Sequence, residues 1–235
     1  MTLSALKPRA ELELDRFALD PYCKLYLPLW KLDGDSFADH SAYGHLCTKY
    51  GTGTAPPAHW TPQGWSFDGV DDYVITADSL DFAYFTVETW AKFDTLGFQH
   101  IVANRVSSGD YKFDLWTGEA NETNPKLRLG VVVGGVQVYM GGSEAGTIMS
   151  ANKWYHCVGV FDGSKIYTYL NGALDYSKNA TGSLTSKTDP VTIGRAAYDA
   201  SNYTDGLIGE VRIYSRALTP QEILDHYIIG KEMFG

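Results

Sequence analysis

The stretch from Lys153 to Gly172 constrains this chain more than any other. Val158 and Val160, then Ile166, Thr168 and Leu170, follow the period-two spacing of strands. Between them, Asp162-Gly163 is predicted to form a two-residue type I′ turn, because Asp-Gly accepts the positive φ angles that turn requires. A second turn signal, Asn171-Gly172, ends the second strand. The segment is a hairpin.

Composition agrees with a fold made of strands. The chain has 235 residues, 44% hydrophobic and 20% charged, enough for a substantial core and unlike a disordered chain. Aromatics reach 14%, with 16 Tyr, and there are 24 Gly; many aromatics and turn glycines favour an all-β fold. The net charge of −9 argues against a nucleic-acid partner, which would need clustered Lys and Arg. No apolar run is long enough for membrane insertion, and the opening residues lack the pattern of a secretory signal. Cys23, Cys47 and Cys157 are far apart, so they are read as plain thiols and neither as disulfides nor as zinc ligands.

Residues 1–22 are expected to be an N-terminal arm or leader, either flexible or docked on another chain, and 23–235 a single domain. The first strand is Cys23–Trp30, with Pro28 suggesting an edge or a bulge. Leu32–Gly53, rich in Asp, Ser and Gly, is expected to be loop. Further strands are predicted at 65–67, 72–76, 85–93, 100–103, 111–116, 126–133, 136–140, 189–194 and 206–214. Gly134-Gly135 is a hairpin turn between two of them. In Phe85–Phe93 the odd-numbered residues make an apolar face, and Thr86, Glu88, Trp90 and Lys92 a mixed one. One helix is expected from Thr219 to about Ile229. Thr219 is its N-cap, Pro220 its first residue and Glu222 the partner in a capping box. A stripe of Ile223, Leu224, Tyr227 and Ile228 should pack on the sandwich, and Gly230 should end the helix.

The segments FDGVDDYV, FTVETWAKF, WYHCVGVFDG, VTIGR and GLIGEVRIYSRALTPQEI, in this order, resemble the LamG-like jelly-roll family of concanavalin A-like lectin/glucanase domains. The resemblance runs from about Leu25 to Tyr227. It implies two stacked antiparallel sheets, one concave, and roles that range from glycan binding to adhesion and domain packing.

It also implies a structural Ca²⁺ at an edge. The candidate ligands are Asp39 in ADHSAYG, Asp68 and Asp72 in FDGVDDYV, and Glu210 in GEVRIY; Gly209 stands where the family frequently has a second acid. Calcium takes six to eight oxygens, usually from loops. The alternative is that these acids are turn residues bonded to nearby amides.

For sugars, aromatic rings stack on C–H faces while Asn, Asp and Arg hold hydroxyls. Trp60, Tyr111, Trp116, Tyr198 and Tyr203 stand in loops or at strand ends, with Arg195, Asn202 and Asp205 as polar partners. The competing account is that such rings fill the core. Catalysis is not expected. No E-x-D-x-E-like triplet puts two carboxylates on one strand face, His156 has no nucleophile beside it, and Gly141-Gly142 is no phosphate loop.

The chain is therefore read as a non-enzymatic binding or adhesion module for a glycan or surface ligand. The alternative is a structural subunit of a larger assembly, such as a virion decoration or tail protein, whose N-terminal arm ties copies together. A glycoside hydrolase is a third and weaker reading.

Overall fold

The computed structural model describes residues 19–31, 37–51, 59–107, 109–120, 122–141, 144–185, 188–199 and 201–235. Most of the expected arm, residues 1–18, lies outside them. In chain order the strands are β1 (Cys23–Pro28), β2 (Phe37–Ala38), β3 (Leu46–Tyr50), β4 (His59–Thr61), β5 (Gly64–Asp68), β6 (Tyr73–Ser79), β7 (Phe85–Phe93) and β8 (Gln99–Arg105). They continue as β9 (Tyr111–Thr117), β10 (Leu127–Val133), β11 (Val136–Tyr139), β12 (Trp154–Phe161), β13 (Lys165–Leu170), β14 (Ala173–Asn179), β15 (Pro190–Ile193) and β16 (Asp205–Tyr214). Helix α1 (Pro220–Phe234) follows.

The strands form two sheets. The first runs β14-β13-β12-β7-β16-β5-β4, with β1 also on β16; the second runs β11-β10-β9-β8-β15-β6-β3-β2. Phe85, Val87, Ala91 and Phe93 of β7 face Phe113, Leu115, Leu129 and Val131 across one shared apolar core. Each fully buried Val, Leu or Phe among them stabilises by about 1.5–3 kcal/mol against exposure. Pro28 fits because β1 is paired on one side only.

The hairpin that anchors the sequence is present, with its turn shifted. Asp162 pairs with Lys165 across the end of the ladder, and Gly163, at φ 95°, begins the turn. Asp162 does not adopt a positive φ; its carboxylate accepts bonds from the amides of Ser164 and Lys165 and from the Tyr167 hydroxyl. The paired positive φ of a type I′ turn occurs instead at Asn171 (54°) and Gly172 (78°). That turn leads into β14, a strand the alternation of ALDYSKN did not reveal. Gly134 and Gly135, at φ 55° and 78°, make the expected turn between β10 and β11.

Three other expectations need correction. The Leu32–Gly53 loop contains β2 and β3, whose exposed edge positions carry polar residues and so look like loop in sequence. The mixed face of β7 is not a solvent face, since Thr86, Glu88 and Trp90 are all buried. Helix α1 has its capping box but runs to Phe234. Its buried residues are Ile223, His226, Gly230 and Phe234, while Leu224 and Ile228 point outward. Gly230 lies inside the helix because the Trp90 indole occupies the space a Cβ would need.

Candidate functional site

Helix α1 determines which face of the sandwich stays open. It covers the outer face of the first sheet, packing Ile223 with Tyr26, Val158 and Tyr214, and Phe234 with Trp30 and Trp90. The outer face of the second sheet has no such cover among the described elements.

Strand register sets what that face displays. Across β8 and β9, His100 stands opposite Trp116, Ala103 opposite Asp114 and Arg105 opposite Tyr111. Across β9 and β10, Gly130 stands opposite Asp114, and across β10 and β11 it stands opposite Tyr139. Partners in a ladder share a face. Ala103 and Gly130 leave room for rings to lie on the strands; a Cβ at Gly130 would meet the Trp116 ring at 3.1 Å and the Tyr111 hydroxyl at 3.2 Å. The result is an open cleft of about 330 Å³, lined chiefly by Arg105, Tyr111, Trp116, Glu119, Gln137 and Tyr139. Tyr111 and Trp116 are buried and shape its base, while Tyr139, 45% exposed, presents an accessible ring.

A chain of alternating charges holds the cleft in shape. The Arg105 guanidinium lies 4.7 Å from the ring centroids of both Tyr111 and Tyr198, and donates to Asp114 at 2.6 Å. Asp114 accepts from His100 Nδ1 at 3.0 Å, and His100 Nε2 reaches Asp199 at 3.2 Å. Asp199 in turn accepts from Ser201 and Asn202. Burial alone would lower the His100 pKa, but the Asp114 charge and the bonds to both carboxylates push it up to about 9. The bond from His100, with those from Asn202 and Ser201, holds Asp199 well below the usual carboxylate range.

The eight candidate ligand residues divide. Tyr111 and Trp116 line the cleft, Tyr198 joins them through Arg105, and Asn202 stands behind through Asp199. Trp60 lies on the first sheet, where its indole donates to the Trp30 carbonyl. Arg195 stacks on Tyr73 at 3.7 Å and bonds Tyr203, which is buried, and Asp205 accepts from Thr95. Sequence reasoning missed Arg105, Glu119, Gln137 and Tyr139. The YKFDLW alternation does put Asp114 and Trp116 on one face, but which residues stand opposite them depends on registers that no single strand displays.

The acidic candidates also separate. Asp39 accepts from the amides of Tyr26, Ser41 and His45 and from the Ser41 hydroxyl, so it organises a loop. Glu210 is buried and pairs with Arg212 at 2.7 Å. Asp68 and Asp72 remain together, and Asp71 joins them with carboxylate oxygens within 4.8 Å. Asp72 is fully buried; its Oδ2 accepts from the Asp68 amide, while its Oδ1 and Asp68 Oδ2 have no hydrogen-bond partner among the described residues. Burial, chiefly, pushes the Asp72 carboxyl up to about 6. A Cβ at Gly51 would meet Asp72 Oδ1 at 2.0 Å, so the glycine lets that carboxylate pack against the loop; three clustered carboxylates are oxygen donors of the kind a hard cation takes.

Beneath α1 lies a second ionic cluster, closed to solvent. Glu88 accepts from Arg212 at 2.8 Å, its cross-strand partner, and from His226 Nδ1 at 2.9 Å. Burial would raise the Glu88 pKa, but His226, His156 and Arg212 hold it well below the usual range. His156 packs against Trp90 and Tyr227, which also stack on each other. Its burial keeps it neutral by lowering its pKa, in line with a packing role. The three cysteines are free and buried.

Two stacked antiparallel sheets with a helix on one outer face make a jelly roll of the lectin-like kind. Residues 68–224 match the family model described as the concanavalin A-like lectin/glucanases superfamily, and the chain belongs to that family. No curated protein sequence matches it significantly. Among solved structures, domain 4 of AbnA, a GH43 extracellular arabinanase from Geobacillus stearothermophilus in complex with arabinotriose, is similar with a TM-score of 0.65 and 18% identity, over 87% of this chain and 98% of that one. The botulinum neurotoxin serotype D binding domain is similar with a TM-score of 0.61 and 14% identity, over 88% of this chain and 51% of that one. A SAP-like pentraxin from Limulus polyphemus has a TM-score of 0.55 and 19% identity, over 68% and 78%. At these identities the likeness is one of fold. Among the described residues, no helix is long and apolar enough to cross a membrane.

Proposed function

We propose that this domain is a non-catalytic carbohydrate-binding module whose site is the cleft on the outer face of the second sheet. The observation that carries this is the convergence of Tyr111, Trp116 and Tyr139 around Arg105 in one open cleft, with Gln137 and the tyrosine hydroxyls as neutral hydrogen-bonding groups. Aromatic faces bind the apolar side of a sugar, and neutral donors and acceptors suit its hydroxyls. Support also comes from a domain of similar fold that has been solved in complex with arabinotriose. Hydrolysis is not proposed for the cleft. Glycoside hydrolysis uses two carboxylates flanking the bond, and Glu119 is the one acid among the described lining residues. Calorimetric titration with soluble oligosaccharides, arabino-oligosaccharides among them, tests the proposal. Binding that Tyr139→Ala weakens at least about tenfold supports it, since a stacked ring contributes on the order of 1 kcal/mol beyond its buried area. Titrations without heat or saturation across such a panel would count against it.

We also infer a structural cation, most simply Ca²⁺, at Asp68, Asp71 and Asp72. Two buried oxygens of Asp68 and Asp72 without a hydrogen-bond partner among the described residues support this. Its test is thermal unfolding with Ca²⁺ or with EDTA; equal midpoints in both would remove the ion from the account.

A further inference from the structure

We infer that the cleft takes an electrically neutral stretch of glycan and discriminates against acidic sugars. This rests on the proposal that the cleft is a glycan site, and concerns which sugars it admits.

The cations around the cleft are already committed to partners within the chain. Arginine is the side chain best suited to hold a sugar carboxylate or sulfate, through paired hydrogen bonds. Arg105 lines the cleft, yet its NH1 donates to the buried Asp114 at 2.6 Å and its Nε to the Ser107 carbonyl at 3.2 Å. Its guanidinium also lies against two tyrosine rings. Using it for an anionic ligand would take from Asp114 the closer of its two partners and leave His100 alone to hold a buried carboxylate, which is costly.

Arg128, on the same face opposite Trp116, is committed in the same way. It is buried, bonds Glu122 through two contacts of 2.7 and 2.8 Å, and donates to the Met140 carbonyl at 3.1 Å. Glu119 stands a further 3.8 Å from it, so one arginine faces two carboxylates. No lysine lines the cleft among the described residues. His100 carries charge but spends both ring nitrogens on Asp114 and Asp199.

What remains for a ligand is the Glu119 carboxylate, about two-fifths exposed, together with neutral groups. The chain's net charge of −9 adds to the repulsion at low ionic strength. A negative sugar thus meets one sign of charge and no available counter-charge. A neutral one meets rings, an amide and hydroxyls.

Matched probes test this on the full chain. Neutral gluco- and galacto-oligosaccharides are titrated beside oligomers of the corresponding uronic acids, at low and at high salt, with wild type and Glu119→Gln. The expected result is weaker binding of each acidic probe by about fivefold or more at low salt, a gap that narrows with salt and narrows again in Glu119→Gln. Acidic probes that bind as well as or better than the neutral ones would overturn the inference and leave the cleft a glycan site. Failure of every probe, neutral and acidic, would overturn both.

Discussion

Arg105 donates to Asp114 at 2.6 Å, and this bond connects the cleft to the interior of the sheet. Asp114 is buried and fixed from behind by His100, so the guanidinium that steadies Tyr111 and Tyr198 is itself fixed. The accessible ring of Tyr139 sits on a prearranged base, and less ordering is left for a ligand to impose.

Removing the Asp114 carboxylate should therefore cost more than a surface ion pair. Asp114→Ala leaves Arg105 and His100 facing each other in a buried site, and is expected to destabilise the domain by about 3–5 kcal/mol. Chemical denaturation of wild type and variant measures this. A change under about 1 kcal/mol would mean that the charge chain is dispensable.

The pH dependence follows from the sign of the His100 shift. Its pKa in the folded state, about 9, lies above the unfolded value of about 6.5. The stabilisation is fully present below the unfolded value and is lost as pH rises through 9. The melting temperature should fall between about pH 7 and pH 9.5, and His100→Asn should flatten that slope. A wild-type slope identical to that of His100→Asn would contradict the assignment.

The cluster under α1 responds in the opposite direction. Glu88 titrates below its unfolded value, so its contribution is present at neutral pH and is lost as pH falls through the lowered value. Glu88→Ala should leave Arg212 and His226 without their shared carboxylate, at a cost of about 3–5 kcal/mol. Tryptophan emission from Trp90 against acid and denaturant reads both effects, because Trp90 packs on the same helix.

Gly230→Ala gives a test that separates packing from propensity. In an exposed helix this change would stabilise by about 1 kcal/mol. Here the added Cβ collides with the Trp90 indole, so destabilisation is expected. A stabilised variant would show that α1 can shift off the sheet at no cost.

How much of this was legible depended on whether the information was local. The Phe85–Phe93 strand and the Thr219–Glu222 capping box matched the structure because alternation and capping lie within a few residues. β14, an edge strand, and the Leu46–Tyr50 strand, flanked on its outer side only by the two-residue β2, were missed because both are largely exposed and show no apolar alternation. Leu224 and Ile228 looked like core since helical spacing alone does not tell which stripe faces the sheet. Within the site, Tyr111 and Trp116 could be chosen as aromatic residues, but Arg105 and Tyr139 reach them only through ladder register. Asp39, Asp68, Asp72 and Glu210 resembled one another as turn and strand acids, and only Asp68 and Asp72 come together.

The location of the site is open to one NMR measurement. Indole N–H resonances of Trp116 and Trp60 can be followed while an oligosaccharide that binds is added to the full chain. Trp116 lines the cleft and Trp60 lies on the other sheet. The account predicts a saturable shift of the Trp116 signal with Trp60 unmoved. A saturable shift of Trp60 with Trp116 unmoved would place the sugar elsewhere and contradict it.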